Sequence, residues 1–282
     1  DADGMLRNAD IALYRAKANG KAVYEVFDDE MHVEVMERLQ LETDLRHALE
    51  FCASEQHELA VYYQPIVDAN TLAIVGVEAL SRWRHPKLGL IPPAKFIPIA
   101  EDTGLIIPLG WWVLRTACLQ LQEWRQQFPA SPRVVNVNLS PRQFLHPALL
   151  GQVRQVLYET GLPPQALKLE ITESLLIGDR AAMQMRLAQL KALGVQLSLD
   201  DFGTGFSSLS YLQHYPLDTL KIDRSFVQQI LVDERCRTIV ESVIDMAHKL
   251  GMDVVAEGVE SQDTLAYLRD VVQCEQIQGF LI

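Results

Sequence analysis

Polar residues of a restricted kind close a series of short apolar runs in this chain. Ile74-Val75-Gly76-Val77 ends at Glu78, and Val134-Val135-Asn136-Val137 ends at Asn138. Leu167-Lys168-Leu169 leads into Glu170, with Glu173 three residues on, and the run 195–199 ends at Asp200-Asp201. The run 218–222 carries Lys221 and is followed by Asp223. Val254-Val255-Ala256 ends at Glu257, with Glu260 beyond it, and Ile277 is followed by Gln278. A single acid after a strand is ordinarily a helix cap or a solvated loop charge. A whole series of such ends facing one point is different, because two like charges 4 Å apart repel by about 4 kcal/mol at an effective dielectric of 20. Hard divalent cations with oxygen ligands are the natural compensation. Lys221 adds an ammonium, which among carboxylates can hold the charges together and beside metals can orient a nucleophilic water. No Cys/His cluster has zinc spacing, and neither a Gly-x-Ser-x-Gly elbow nor a Gly-x-x-x-x-Gly-Lys-Ser/Thr loop is present, so nothing points to covalent catalysis or to an NTPase.

The elements that must position these groups follow from the rhythm of the chain. Apolar, often β-branched runs recur near 59–67, 72–77, 133–139, 166–171, 195–200, 218–222, 253–256 and 274–277. Helical patterns at 109–127, 147–160, 179–193, 235–250 and 261–269 separate most of them. Alternating strand and helix predicts a parallel sheet with crossover helices, and eight strands predict closure into a barrel whose chemistry collects at the C-terminal strand ends. Only Asp68-Ala69-Asn70-Thr71 separates the first run from the second. A parallel crossover needs about a dozen residues, so these two runs should pair as a hairpin, and the barrel should contain one reversed strand. Ahead of it, 29–51 reads as a charged amphipathic helix linking to residues 1–28, a short helix pattern and a strand that cannot form a core alone.

The chain has 282 residues, 49% of them hydrophobic, with a formal charge of −12. That size suits one α/β barrel, and the negative charge argues against coating a nucleic-acid polymer or an anionic membrane. A small phosphodiester remains compatible if cations stand between the two sets of negative charge. Cys52, Cys118, Cys236 and Cys274 are far apart and read as reduced thiols of a cytoplasmic domain. The apolar run 105–114, interrupted by Pro108 and Gly110, is too short to span a bilayer.

These residues form a set that resembles the EAL family. Glu78-Ala79-Leu80 with Ser81-Arg82-Trp83 looks like the signature that names it. Asn138-Leu139-Ser140, Leu169-Glu170-Ile171-Thr172-Glu173, Asp200-Asp201-Phe202-Gly203-Thr204-Gly205, Lys221-Ile222-Asp223, Ala256-Glu257-Gly258-Val259-Glu260 and Gln278-Gly279 resemble its other motifs in the family's order. Residues 1–28, with Asp10 to Lys17, Gly20, Tyr24 and Phe27, resemble the C-terminal end of a GGDEF (diguanylate cyclase) domain without its signature loop. The domain plan expected is therefore a GGDEF remnant over 1–28, a linker helix over 29–51 and an EAL barrel over 52–282.

The resemblance implies a modified TIM (β/α)8 barrel and hydrolysis of cyclic di-GMP to linear 5′-pGpG with two Mg²⁺ or Mn²⁺ ions. A cyclic di-GMP receptor with little turnover is the alternative. Carried over by position, Glu78, Asn138, Glu170 and Asp200 ligate one metal, and Asp200, Asp201 and Glu257 the second. Lys221 orients the water, while Glu257 is either ligand or general base. Gln64 and Arg82, with Glu260 and Gln278 close by, contact substrate, and Arg82 suits a phosphate through its two-pronged fork. Glu173 tethers the loop containing Gly203 and Gly205, and Asp223 supports Lys221 or the metals. A homodimer through the barrel and adjacent GGDEF and sensor domains in the full-length protein complete the expectation.

Overall fold

The computed structural model describes residues 29–50, 58–128, 132–176, 179–203 and 212–282, and singly Ala9 and Leu13. The expected GGDEF remnant, Cys52, Thr204 and Gly205 lie outside the described residues or almost entirely so. Two compact units are distinguished: residues 1–59 with 83–105, and residues 60–82 with 106–282.

The larger unit follows the alternation of the sequence. Its elements are β1 (Leu59–Asp68), β2 (Ile74–His85), α3 (Ile106–Gln127), β4 (Val134–Asn138), α4 (Pro141–Leu145), α5 (Leu149–Thr160), β5 (Leu167–Thr172), α6 (Arg180–Ala192), β6 (Gln196–Phe202), β7 (Thr219–Ile222), α7 (Arg224–Val227), α8 (Glu234–Lys249), β8 (Asp253–Glu257), α9 (Gln262–Asp270) and β9 (Gln276–Gln278). Strands run in the order β1-β9-β8-β7-β6-β5-β4-β2, and β1 also pairs with β2, which closes an eight-stranded barrel. In that barrel order every neighbouring pair from β9 to β2 is parallel, whereas β1 is antiparallel to β9, with Val67 opposite Ile277. This is the reversed strand that the short first connection demanded. Asp68 builds that turn, its Oδ1 accepting from the backbone N–H of Asn70 and Thr71 at 3.1 and 2.7 Å.

Buried residues on both faces of the central strands account for their near-continuous apolar runs, as expected of a parallel sheet under helices. Leu167, Leu169, Ile171, Leu197, Leu199, Leu220, Val254 and Val255 are all essentially inaccessible. Cys118 and Cys274 are buried, Cys236 is half-buried, and all three are free thiols.

The smaller unit holds α1 (Asp29–Glu50), the last residues of β2, β3 (Gly89–Ile91) and α2 (Pro93–Thr103). The extension of β2 through Ser81-Arg82-Trp83-Arg84-His85 and its hairpin with β3 were not foreseen. The charged residues there break the apolar run, while hairpin pairing, Trp83 opposite Ile91, keeps the strand extended. Trp83 is fully buried and meets Phe96 edge-on at 5.9 Å, and His85 Nε2 lies 3.0 Å from Asp44 Oδ2. No helix among the described residues is long and apolar enough to cross a membrane.

Candidate active site

Alternation along parallel strands sends every second side chain into the barrel. On β4 these are Asn136 and Asn138, on β5 Lys168 and Glu170, on β6 Ser198 and Asp200, and on β7 Thr219 and Lys221. The deeper layer is buried and polar: Lys168 Nζ donates to Thr219 Oγ1 at 2.8 Å, and burial pulls the Lys168 ammonium below its usual range. The upper layer carries the chemistry.

Lys221 stands at its centre, 1% exposed. Its Nζ lies 2.6 Å from Glu257 Oε1, 3.2 Å from Glu78 Oε2, 3.1 and 3.2 Å from the two oxygens of Glu170, and 3.2 Å from Asp200 Oδ1. Four carboxylates thus share one ammonium. Burial alone would discharge Lys221, but Glu170, Glu78, Asp200 and Glu257 reverse that and hold its pKa well above the usual lysine value. The acids divide unequally, since one positive charge cannot neutralise four. Burial is the largest influence on Glu78 and would raise its pKa. The Lys221 charge and hydrogen bonds from Gln278 Nε2 (2.8 Å) and Asn138 Nδ2 (2.7 Å) overcome it and hold the carboxyl below its ordinary value. Glu170, fully buried, is raised well above it despite Lys221 and the hydrogen bond from Asn136 Nδ2 at 2.7 Å. Burial and the neighbouring acids lift Glu257 to about 7 against the pull of Lys221.

Consecutive residues of a regular strand face opposite sides, yet both Asp200 and Asp201 line the same cavity. The pairing of β6 with β7 slips between Leu199 and Phe202, and Asp201 takes the left-handed conformation, φ 54°. Such a bulge re-aims a side chain, and the left-handed backbone costs about 1–2 kcal/mol outside glycine. Burial and the charges of Asp200 and Asp223 raise the Asp201 pKa. Gly203 follows at φ 100°, and its N–H donates to Glu173 Oε2 at 3.3 Å.

Asp200, Asp201 and Glu257 each offer an oxygen within 4.8 Å of the others. Asp200 Oδ1 and Gln278 Oε1 are buried without a hydrogen bond, and the contact of Asp200 Oδ1 with Lys221 falls outside hydrogen-bonding geometry. Buried oxygens normally find a partner. Orphaned oxygen atoms beside an excess of carboxylates fit a hard divalent cation.

A cavity of about 450 Å³ opens above this cluster, a size suited to a small-molecule ligand. Gln64, Glu78, Asn138, Asp200, Asp201, Asp223, Glu257, Glu260 and Gln278 line it, so most of the residues singled out in the sequence come together. Glu170 and Lys221, in the upper layer, lie buried beneath the lining. Arg82 is outside the lining: its guanidinium sits 5.5 Å from the Tyr62 ring centre and donates to Ser81 O at 2.9 Å. Asp223 lines the cavity and also caps α7, accepting from Ser225 N at 3.0 Å. Glu260 accepts from Gln228 Nε2 at 3.0 Å. Reading strand ends alone missed Asn136, which the two-residue period of β4 would have found beside Asn138. It also missed Arg224, which lies one residue beyond the last position considered on β7.

Comparison with known proteins agrees with this architecture. Residues 42–282 match the family model of the EAL domain. An uncharacterized signaling protein of Caulobacter vibrioides is 47% identical over 281 residues, covering 100% of this chain and 33% of that protein. The bifunctional diguanylate cyclase/cyclic di-GMP phosphodiesterase MucR of Pseudomonas aeruginosa is 43% identical over 278 residues, covering 99% of this chain and 40% of that protein. The chain therefore spans only about a third to two fifths of the length of these curated relatives. The structure of the PaMucR phosphodiesterase in complex with c-di-GMP superposes with a TM-score of 0.80 at 44% identity, covering 86% of this chain and 95% of that one. On the ordered motifs, the closed barrel and these matches, the chain belongs to the EAL domain family.

Proposed function

We propose that this domain is a metal-dependent phosphodiesterase that hydrolyses cyclic di-GMP to linear 5′-pGpG. The observation that carries the reading is the cluster around Lys221, where four carboxylates share one ammonium and Asp200 Oδ1 lacks a hydrogen bond. Such a site is short of positive charge and rich in hard oxygen donors. Relatives named as cyclic di-GMP phosphodiesterases, MucR and NbdA of Pseudomonas aeruginosa among them, support the substrate.

In this reading Glu78, Asn138, Glu170 and Asp200 hold one divalent cation, Mg²⁺ or Mn²⁺, and Asp200, Asp201 and Glu257 a second. When bound, the cations supply Lewis acidity toward water and the phosphoryl oxygens. The chain's own groups do the rest. Lys221 Nζ orients the attacking water, and its charge offsets the charge that develops on the phosphoryl oxygens. Glu257 has an alternative role: where it does not ligate the second cation, it accepts the water's proton as general base. The water oxygen bonds to phosphorus and gives up its proton, the bond from phosphorus to the ribose 3′-oxygen breaks, and that oxygen takes up a proton from solvent, giving a 5′-phosphate and a 3′-hydroxyl. Gln64 and Gln278 bind the substrate from the cavity wall. Glu173 holds the Gly203 loop in register with the Asp201 bulge.

In the full-length protein the barrel would work as a homodimer, and residues 1–28 would be the end of a GGDEF domain with a sensor beyond it. For the GGDEF part, the support is the alignment with MucR, which runs through 99% of this chain and whose name joins both activities. Glu78→Ala tests the function: with Mn²⁺ present it should abolish 5′-pGpG formation. Near wild-type turnover by that variant would overturn the metal assignment, and a wild-type protein that binds cyclic di-GMP equally well under chelation but never cleaves it would be a receptor.

A further inference from the structure

The cavity wall carries six carboxylate residues, Glu78, Asp200, Asp201, Asp223, Glu257 and Glu260, and among the described residues that line it a single cationic one, Arg224. Lys221 lies beneath, buried and surrounded by four carboxylates. Arg224 is exposed. The acids near it in sequence or across the mouth have other partners: Asp223 accepts from Ser225 N and Oγ, and Glu260 accepts from Gln228 Nε2. Among the described residues no ion pair engages the Arg224 guanidinium.

The stem of Arg224 is held firmly. Gly258, φ 71°, packs so closely that a Cβ there would lie 2.5 Å from Arg224 Cβ and 3.2 Å from its Cα. Only glycine permits both that backbone and that approach. The guanidinium therefore departs from a fixed point where the β7 and β8 ends meet at the cavity.

We infer that Arg224 binds the second phosphodiester of the cyclic dinucleotide, the one not being cleaved. This rests on the cyclic di-GMP reading above. The substrate is a dianion whose two phosphates sit on opposite sides of its ring. Only one can lie over the Lys221 cluster, so the other must face the wall. Four of the six acids are cation ligands in that reading, which leaves Asp223 and Glu260 as the negative groups facing the second phosphate, and these would repel it unless a cation stands opposite. Arg224 is that cation, and its planar fork can donate two parallel hydrogen bonds to phosphate oxygens.

The test is steady-state hydrolysis of cyclic di-GMP by the wild type, Arg224→Met and Arg224→Lys, with melting temperature and Mn²⁺ affinity measured on each. Loss of a charge-assisted contact should raise KM for Arg224→Met about tenfold to hundredfold, with kcat within about threefold. Arg224→Lys should recover part of the loss, and all three proteins should melt and bind Mn²⁺ alike. An unchanged KM in Arg224→Met, or a loss accompanied by weakened Mn²⁺ binding, overturns the inference. A wild type that does not cleave cyclic di-GMP at all instead overturns the functional reading on which it rests.

Discussion

Lys221 is the residue on which the metal-free site depends. Its removal leaves Glu78, Glu170, Asp200 and Glu257 buried with no counter-charge, and breaking a buried ion pair by deleting one partner costs about 3–5 kcal/mol. Lys221→Met should therefore lower the unfolding free energy of the metal-free protein by that amount in urea, and Mn²⁺ should restore much of it. In the metal-bound enzyme the same variant should lose kcat far more than substrate affinity; equal losses would make Lys221 a binding residue. Glu257 gives a second expectation. Its folded pKa of about 7 lies above the ordinary 4.5, so the folded apo-protein holds a proton there that the unfolded chain releases at lower pH. Its contribution to stability is fully present below about 4.5 and is lost as pH rises through about 7. A cation competes with that proton, so apparent Mn²⁺ affinity should climb between pH 5 and 7.5, with proton release seen by calorimetry in buffers of different ionisation enthalpy. Affinity flat over that range would contradict the raised value.

Strand β6 shows how an element makes a site. Without the slip after Leu199, Asp200 and Asp201 would face opposite sides of the sheet. Asp201→Gly should relieve the left-handed backbone at φ 54° yet remove a carboxylate, giving a protein at least as stable as wild type, by up to about 1 kcal/mol, that binds Mn²⁺ more weakly. If Asp201→Gly unfolded more readily instead, the bulge would owe its form to the side chain. The bulge also marks a limit of sequence reading. Asp200 and Asp201 were legible as a candidate pair, but a two-residue period offers no reason for both to face inward. The strands were legible because parallel strands covered on both faces must be apolar throughout, and the reversal of β1 because the four residues Asp68 to Thr71 cannot make a crossover. The β2–β3 hairpin was not, since Arg82, Arg84 and His85 carry no apolar alternation. Its pairing depends on Ile91 and Phe96 meeting Trp83. Arg224 was hidden for a similar reason: its stem is placed at the cavity by close packing against Gly258, thirty-four residues away in the chain.

At the scale of the molecule, the family model begins at residue 42, inside α1. If residues 1–28 belong to a neighbouring domain, their deletion should leave kcat and KM of the barrel within about twofold of the undeleted chain; a larger loss would make that segment part of the catalytic unit. The most direct measurement is chromatographic detection of 5′-pGpG after incubation with cyclic di-GMP, run with Mg²⁺ or Mn²⁺, with chelator, and with Glu78→Ala. Product should form with the wild type and metal only. Product that persists under chelation, or none from the wild type with either metal, would contradict the proposed function.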